Sequence, residues 1–231
     1  MTDLAVVAKQ LAGREAATLV KDGAIVGLGT GSTAACAIEE LGRRIREEGL
    51  DILGIPTSYQ AAYLARRNGI PVRTLDDVDR VDIALDGADE VDPQRNLIKG
   101  RGAAHTREKV IASFADLFVI VVDDSKLVRC LGERCPVPVE VIPMALGPVM
   151  RGLEAMGGKP ALRTAVSKDG PVVTDQGNFV VDVRFPSIKK PKELESTLNN
   201  TPGVVENGLF VEITDLVIIG NRVDGSVKRM E

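Results

Sequence analysis

The stretch AIVGLGTGSTAACAIEELGRRIREEG, residues 24–49, decides the fold. It opens with AIVGLG, a short apolar run that is typical of a β-strand. The remainder, 30–49, is typical of a helix, and we expect Thr and Ser side chains to cap its first turn. A strand, a glycine turn and a helix in direct succession make the first part of a β-α-β unit. The sequence therefore predicts a parallel sheet.

Helical and apolar segments alternate on both sides of this stretch. Residues 1–20 are typical of an amphipathic helix, and LFVIVVDD (117–124) is apolar enough to be a strand buried on both faces. The other segments are predicted strands at 52–58 and 80–87 and predicted helices at 59–69 and 103–116. Strands separated by helices of about ten residues predict an α/β, Rossmann-like parallel sheet with helices on both faces.

The pattern changes after Leu131. Strands are predicted at 135–143, 160–166, 178–185 and 204–211, with helices at 144–158 and 191–203. The order β-α-β-β-α-β is that of the split β-α-β, or ferredoxin-like, fold, so we expect a smaller α+β domain over 132–210. We expect the closing run DLVIIGN (215–221) and the hairpin around VDGS to return to the first sheet. The Rossmann-like domain is thus predicted to comprise 1–131 and 211–231.

Composition excludes several classes of function. The 231 residues include 29 Lys and Arg against 33 Asp and Glu, and no Trp, which argues against nucleic-acid binding. No apolar run approaches the roughly 20 residues of a membrane helix, and the N-terminus lacks a signal-peptide pattern, so we expect a cytoplasmic protein. Three unevenly spaced cysteines predict reduced thiols, and neither a disulfide framework nor a zinc site.

The segment GLGTGSTA (27–34) is the first candidate for a ligand site, because ligands of open parallel sheets bind beyond the carboxyl ends of the strands. The hydroxyls of Thr30, Ser32 and Thr33, with backbone N–H groups at the helix start, suit a phosphate. No Gly-Lys-Ser/Thr follows, which excludes a Walker A loop, and Ser32 replaces the third glycine of a dinucleotide fingerprint. The alternative is a tight turn with a good helix cap.

A second polar segment, LDGADEVD (85–92), places Asp86 and Asp89 just past a predicted strand. The two carboxylates could accept hydrogen bonds from neighbouring sugar hydroxyls, or they could hold a divalent cation. The spacing does not fit an EF-hand, and no His, Cys or Asn close by completes a ligand set. Two ordinary turn residues are the remaining alternative.

A third segment is NLIKGRGAAHTREK (96–109). Lys99 offers a positive charge that could stabilise an oxyanion, and the glycines flanking Arg101 let the backbone approach a ligand. Glu108 falls in the first turns of the predicted helix, where the helix dipole favours an ionised carboxylate and leaves it available as a base. An acidic residue at that position could instead serve helix stability alone.

Three further side chains are candidates. His105 is the only histidine, and no serine or cysteine nucleophile lies in a recognisable elbow to partner it, so we expect a solvated or capping residue. Lys126 follows the predicted strand 117–124 and so lies at the same end of the sheet as the other candidates. Lys9, on the first helix, could reach a phosphate from outside the glycine loop.

Taken in order, the blocks GLGTGSTA, PTSYQAA, ALDGADEVD, LIKGRGAAHTREKVIAS, VDDSK and PVPVEVIPMA resemble the A type of ribose-5-phosphate isomerase. The resemblance extends from about residue 9 to the C-terminus. It implies an aldose–ketose isomerase that interconverts ribose 5-phosphate and ribulose 5-phosphate through an enediolate, in the non-oxidative pentose phosphate pathway. It also implies a homodimer or homotetramer that needs neither a metal nor an organic cofactor.

The resemblance implies a role for each matching residue. The family's catalytic glutamate falls on Glu108. Lys99, with nearby backbone N–H groups, is expected to stabilise the enediolate, and Asp86 or another acid of the site is a candidate for moving a proton between its two oxygens. The matching substrate-binding positions are Lys9, Thr30, Gly31, Ser32, Thr33, Asp86, Gly87, Ala88, Asp89, Lys99, Gly100, Arg101, Gly102 and Lys126. Two positions depart from the family pattern. The family often has glycine where this chain has Arg101, and an apolar residue is expected where this chain has His105.

Two other functions fit a sheet of this kind. A non-enzymatic phosphosugar sensor would normally carry a helix-turn-helix region, which nothing in this acidic chain supplies. A CoA transferase would need a nucleophilic glutamate and a groove for CoA. Conversion of ribose 5-phosphate to a ketose would separate the isomerase from both.

Overall fold

The structure, a computed structural model, describes residues 3–231. The first two residues of the predicted N-terminal helix lie outside this range. The helices are α1 (Asp3–Thr18), α2 (Ser32–Glu48), α3 (Tyr59–Arg67), α4 (His105–Phe114), α5 (Leu146–Ala155) and α6 (Pro191–Asn199). The strands are β1 (Ala24–Leu28), β2 (Ile52–Pro56), β3 (Ile83–Asp86), β4 (Glu90–Val91), β5 (Leu97–Ile98), β6 (Phe118–Asp123), β7 (Val137–Val141), β8 (Lys159–Leu162), β9 (Phe179–Arg184), β10 (Val204–Asn207), β11 (Leu209–Phe210), β12 (Leu216–Gly220) and β13 (Val227–Met230).

The chain forms two compact units. The first consists of the residues up to Ala88, Arg107–Lys126 and the residues from Ile213 onward, and the second consists of Asp89–Thr106 and Leu127–Glu212. This grouping differs from the predicted domains mainly in 89–106, because β4 and β5 belong to a separate three-stranded sheet, in which β5 pairs with both β4 and β11, and not to the first sheet. The boundaries near 131 and 211 between the Rossmann-like domain and the smaller α+β domain stay a prediction.

Six strands form the sheet of the first unit, in the order β13-β12-β6-β3-β1-β2. Neighbouring strands are parallel, except that β13 returns antiparallel to β12 as the predicted hairpin. All six residues of β6 are buried, as its apolar run predicted. No described helix is long and apolar enough to cross a membrane.

Helices cover both faces of this sheet. Val26 and Leu28 of β1 belong to a core that includes buried residues of α1, α2 and α3. Between them, Gly27 faces the opposite side, where a Cβ would lie 2.7 Å from Ile111 Cγ2 of α4. The predicted α/β fold with helices on both sides of a parallel sheet is therefore confirmed.

The second unit contains a four-stranded antiparallel sheet in the order β10-β7-β9-β8. Its core includes Val149 and Leu153 of α5 and Leu198 of α6. Numbered within the β-α-β-β-α-β motif, the strand order is 4-1-3-2, which is the split β-α-β arrangement. The predicted smaller α+β fold is confirmed.

One predicted strand of this unit is wrong in its extent. The run 204–211 divides into β10 and β11, which belong to different sheets. The break falls at Gly208, where a Cβ would lie 2.2 Å from Lys99 O and 2.7 Å from Pro138 Cδ. Gly208 also donates to Pro138 O at 2.7 Å and accepts from Lys99 N at 2.8 Å. Lys99 and Pro138 thus approach the backbone of Gly208 closely. These contacts fix the point at which the chain passes from one sheet to the other.

Candidate active site

Asp86 connects the end of β3 to the glycine loop after β1. Its Oδ1 accepts from Thr30 N at 3.1 Å and from Gly87 N at 2.7 Å, and the residue is 2% exposed. Gly29 lies against it, because a Cβ at that position would be 2.3 Å from Asp86 Oδ1 and 2.5 Å from Leu85 O. The loop 29–31 is therefore shaped around a buried carboxylate.

The hydroxyl of Thr30 points toward the segment that follows β2. It lies 2.8 Å from Thr57 Oγ1 and 2.6 Å from Ser58 Oγ. The predicted Thr and Ser cap of α2 is wrong, because the N-cap residue is Gly31, with φ 106° and no side chain. Ser58 instead caps α3 by accepting from Ala61 N at 3.1 Å.

The N-terminus of α2 is nevertheless arranged as an anion site would be. Gly31 has a positive φ that glycine adopts readily, and the next residues, Ser32 and Thr33, begin the helix. The first N–H groups of any helix lack intrahelical acceptors and carry partial positive charge. Lys9 Nζ donates to Ser32 Oγ at 3.1 Å, which places an ammonium group beside this turn.

Glu108 lies in the first turn of α4 and is only 4% exposed. Two contacts position the part of this helix that belongs to the first unit, from Arg107 onward. Ile111 packs over Gly27 of β1, and the Arg107 guanidinium lies 5.6 Å from the centre of the Tyr59 ring on α3. The carboxylate is thus buried on a helix that packs against the same strand that leads into the glycine loop.

Lys126 lies in the short turn after β6, the neighbour of β3 in the sheet. Next to it, Asp124 Oδ1 accepts from Arg222 Nε at 2.7 Å and from Arg222 N at 3.1 Å. This pair joins the turn to the connection between β12 and β13. The hydrogen bond from the Arg222 guanidinium, above all, holds the pKa of Asp124 below its ordinary value.

We expect Asp124→Asn to lower the free energy of unfolding at pH 7 by less than about 1 kcal/mol, because both side chains are partly exposed. A lowered carboxyl pKa stabilises the fold above the unfolded value of about 3.9 and ceases to do so as the pH falls through the folded value. The difference between variant and parent should therefore shrink between pH 5 and pH 2.5 in denaturant titrations. A difference that stays constant over this range would contradict the assignment.

The remaining candidates belong to the second unit. Lys99 is 2% exposed, and its Nζ lies 5.3 Å from the centre of the Phe210 ring. Asp89 Oδ2 accepts from Arg101 N at 3.0 Å, so the second aspartate holds the turn that follows Lys99. Gly100 has φ 105°, a conformation that glycine adopts readily and other residues rarely do.

His105 is fully buried, so the expectation of a solvated histidine is wrong. Its ring lies directly under Gly100, where a Cβ would be 2.7 Å from His105 Nδ1. The His105 side chain is therefore packed in the interior. This is the position at which the family pattern predicts an apolar residue.

Direct contacts gather the predicted residues into two groups. In the first unit, hydrogen bonds join Lys9 to Ser32 and Thr30 to Asp86. In the second, the turn Lys99–Gly102 is bound to Asp89. The chain passes from Asp86 to Asp89 through Gly87 and Ala88. Among the described residues, no three His, Cys, Asp or Glu side chains are grouped so that they could hold a metal ion.

Comparison with known proteins identifies the family of the chain. The family model for ribose 5-phosphate isomerase A (phosphoriboisomerase A) matches residues 53–224, which is more than half of the chain. The chain belongs to the ribose 5-phosphate isomerase A family. The resemblance inferred from the ordered blocks is therefore confirmed, and so is the prediction that the protein is an isomerase.

Relatives in this family are similar over nearly the whole chain. Ribose-5-phosphate isomerase A of Thermosynechococcus vestitus is 61% identical over 218 residues, covering 94% of this chain and 92% of the relative. The structure of the Methanocaldococcus jannaschii enzyme is 51% identical, with a TM-score of 0.93 and coverage of 97% and 98%. A D-ribose-5-phosphate isomerase in complex with phospho-erythronic acid is 48% identical, with a TM-score of 0.94 and coverage of 97% of both chains.

Three polar residues beside the loop of this ribose 5-phosphate isomerase A family member were not predicted. Thr57 and Ser58 bind the Thr30 hydroxyl, and Gln60 Oε1 accepts from Gly31 N at 3.3 Å. A signal was present, because a Thr-Ser pair directly after β2 occupies the carboxyl end of a strand adjacent to β1.

Proposed function

We propose that the chain interconverts ribose 5-phosphate and ribulose 5-phosphate through an enediolate, with Glu108 as the base that moves the proton. The observation that carries this proposal is the buried carboxylate of Glu108 in the first turn of α4, a helix packed on the strand that leads into the glycine loop. Membership of the ribose 5-phosphate isomerase A family supports the choice of substrate.

The reaction moves one hydrogen between adjacent carbons, so a single base on one face of the substrate is sufficient. Glu108 takes the proton from C2 of the open-chain aldose, and the electron pair of that bond forms the C1–C2 double bond of the enediolate. The same carboxyl group returns the proton to C1, which leaves the carbonyl group at C2. The hydroxyl proton must pass from the oxygen on C2 to the oxygen on C1, and we assign this transfer to Asp86.

Negative charge develops on the oxygens of the enediolate, and we assign its stabilisation to Lys99. The ammonium group is buried, and charge interactions are stronger where water is excluded. Removal of one such donor from other enzymes has cost about 3 to 4 kcal/mol of transition-state stabilisation.

The phosphate end of the substrate is assigned to the start of α2. Thr30 to Thr33 provide N–H groups and hydroxyls, and Lys9 and Lys126 provide positive charge. We assign the sugar hydroxyls to 86–89 and to the turn 99–102. Anchoring the phosphate would hold C1 and C2 in register with Glu108.

The test is to incubate the purified chain with ribose 5-phosphate in D2O and to follow ketose formation and deuterium incorporation at C1. We expect ketose to form, with deuterium at C1 to the extent that the carboxyl proton exchanges with solvent. We also expect an unchanged rate in EDTA. Absence of ketose would refute the proposed reaction, whereas loss of activity in EDTA would favour a cation held by Asp86 and Asp89.

We further propose a homodimer or homotetramer, located in the cytoplasm and acting in the pentose phosphate pathway. Large side chains on two helices of the first unit support self-association, since Tyr59, Tyr63 and Phe114 are 68%, 64% and 61% exposed. Light scattering after size exclusion should give two or four times the mass of 24.6 kDa. A single chain mass at micromolar concentration would refute the assembly.

A further inference from the structure

The peptide group between Gly100 and Arg101 lies between two charged side chains. Its carbonyl oxygen, Gly100 O, accepts from Arg163 Nη1 at 2.9 Å, and its N–H, from Arg101, donates to Asp89 Oδ2 at 3.0 Å. The peptide is trans, like every peptide in the described part of the chain, so its C=O and N–H point in opposite directions. Arg163 and Asp89 therefore bind opposite edges of one peptide group, one at its C=O and the other at its N–H.

Arg163 is itself fixed on the sheet of the second unit. Its Nε and Nη2 bind the two carboxylate oxygens of Asp182 on β9 at 2.8 and 2.5 Å. The Arg163 backbone donates to Val180 O and accepts from Val172 N, both at 2.8 Å. The side chains of Arg163 and Asp182 are 16% and 24% exposed. The backbone of Arg163 is thus held by hydrogen bonds, and one edge of its guanidinium group is held by Asp182. The rest of the group extends to the turn.

The other end of the guanidinium group binds two successive carbonyl groups. Nη1 donates to Arg101 O at 3.0 Å as well as to Gly100 O. Because the donors of arginine form a rigid planar fork, one edge can bind a carboxylate while the remaining nitrogen reaches two carbonyl oxygens. A lysine has one ammonium group on a flexible stem and cannot occupy both positions in fixed geometry.

We propose that Arg163, oriented by Asp182, is a positioning residue for the isomerase reaction. It sets the plane of the Gly100–Arg101 peptide and, through it, the Asp89 carboxylate and the backbone that carries Lys99. The inference rests on the proposed function, which gives Asp89 and Lys99 their contacts with the substrate. Arg163 itself need not touch the substrate, and no sequence motif includes it.

The test compares Arg163→Lys and Arg163→Gln with the parent chain. We expect kcat to fall at least about tenfold in both variants, since small displacements of catalytic groups are costly, and lysine should not rescue it. The Arg101 amide should exchange with solvent at least about tenfold faster in Arg163→Gln. The control is Arg184→Gln, which removes an exposed arginine of β9 that donates to Arg134 O at 3.3 Å, and its kcat should be unchanged.

A double variant, Arg163→Gln with Asp182→Asn, preserves the test if the single variant folds poorly, because it leaves no unpaired charge. A kcat within twofold of the parent in the folded variants would show that Arg163 is only structural, and full rescue by lysine would show that charge alone is needed. Either result overturns the inference. Failure of the proposed function is recognised separately, because the parent chain itself would then form no ketose.

Discussion

The Glu108→Gln variant is expected to turn over ribose 5-phosphate at least about a hundredfold more slowly than the parent chain, with little change in KM. Glutamine has the size of glutamate, so the buried position in the first turn of α4 stays filled. It cannot accept a carbon-bound proton. The loss should therefore appear in the transition state and not in substrate binding, and steady-state kinetics with ribose 5-phosphate measure both parameters.

The matched control for this variant is Glu154→Gln, which makes the same change at an exposed position of α5. Its kcat should equal that of the parent. Circular dichroism and thermal unfolding of Glu108→Gln should show a folded protein. If the folded variant keeps near-parental turnover, Glu108 is not the base, and the proton transfer must be assigned to another group.

The second large effect is expected for Gly29→Ala. The added methyl group would lie 2.3 Å from Asp86 Oδ1 and 2.5 Å from Leu85 O, so either the carboxylate or the end of β3 must move. Overpacking of this kind costs about 1 to 3 kcal/mol of stability. Because Thr30 N is bound to the same carboxylate oxygen, both the glycine loop and Asp86 should be displaced. We expect kcat/KM to fall by about a hundredfold.

Gly152→Ala provides the control for this second variant. Gly152 lies inside α5, and among the described residues nothing would lie within 4 Å of the added methyl group. Alanine should stabilise the helix by up to about 1 kcal/mol and leave kcat/KM unchanged. Equal activity of Gly29→Ala and the parent chain would mean that neither Asp86 nor the loop needs its observed position.

The long elements of the fold could be predicted because each has a pattern set by burial. The strand β6 lies within the predicted run 117–124, since all six of its residues are buried and the first five, 118–122, are apolar. The strands β4 and β5 were not predicted, and β11 was predicted only as the end of the longer run 204–211, because each has two residues and exists only by pairing within the three-stranded sheet. No periodicity can develop over two residues.

The candidate site was predictable where its residues are close in sequence. The blocks containing Ser32, Asp86 and Glu108 were recognised as ordered motifs, and the roles given to these residues remain proposals. The partners of Thr30 lie 27 and 28 residues away, and Arg163 lies 62 and 63 residues from the carbonyl groups that it binds. Such contacts depend on the folded backbone. The burial of His105 follows in the same way from the glycine turn above it.

The order of the strands in the first sheet has a consequence for synthesis of the chain. β6 pairs with β12, whose residues follow the whole of Leu127–Glu212. At ribosomal rates of about 5 to 20 residues per second, β6 leaves the ribosome several seconds or more before its neighbour exists. During that interval a strand whose first five residues are all apolar has an open hydrogen-bonding edge, which is a template for aggregation. The nascent protein should therefore depend on chaperones until translation is almost complete.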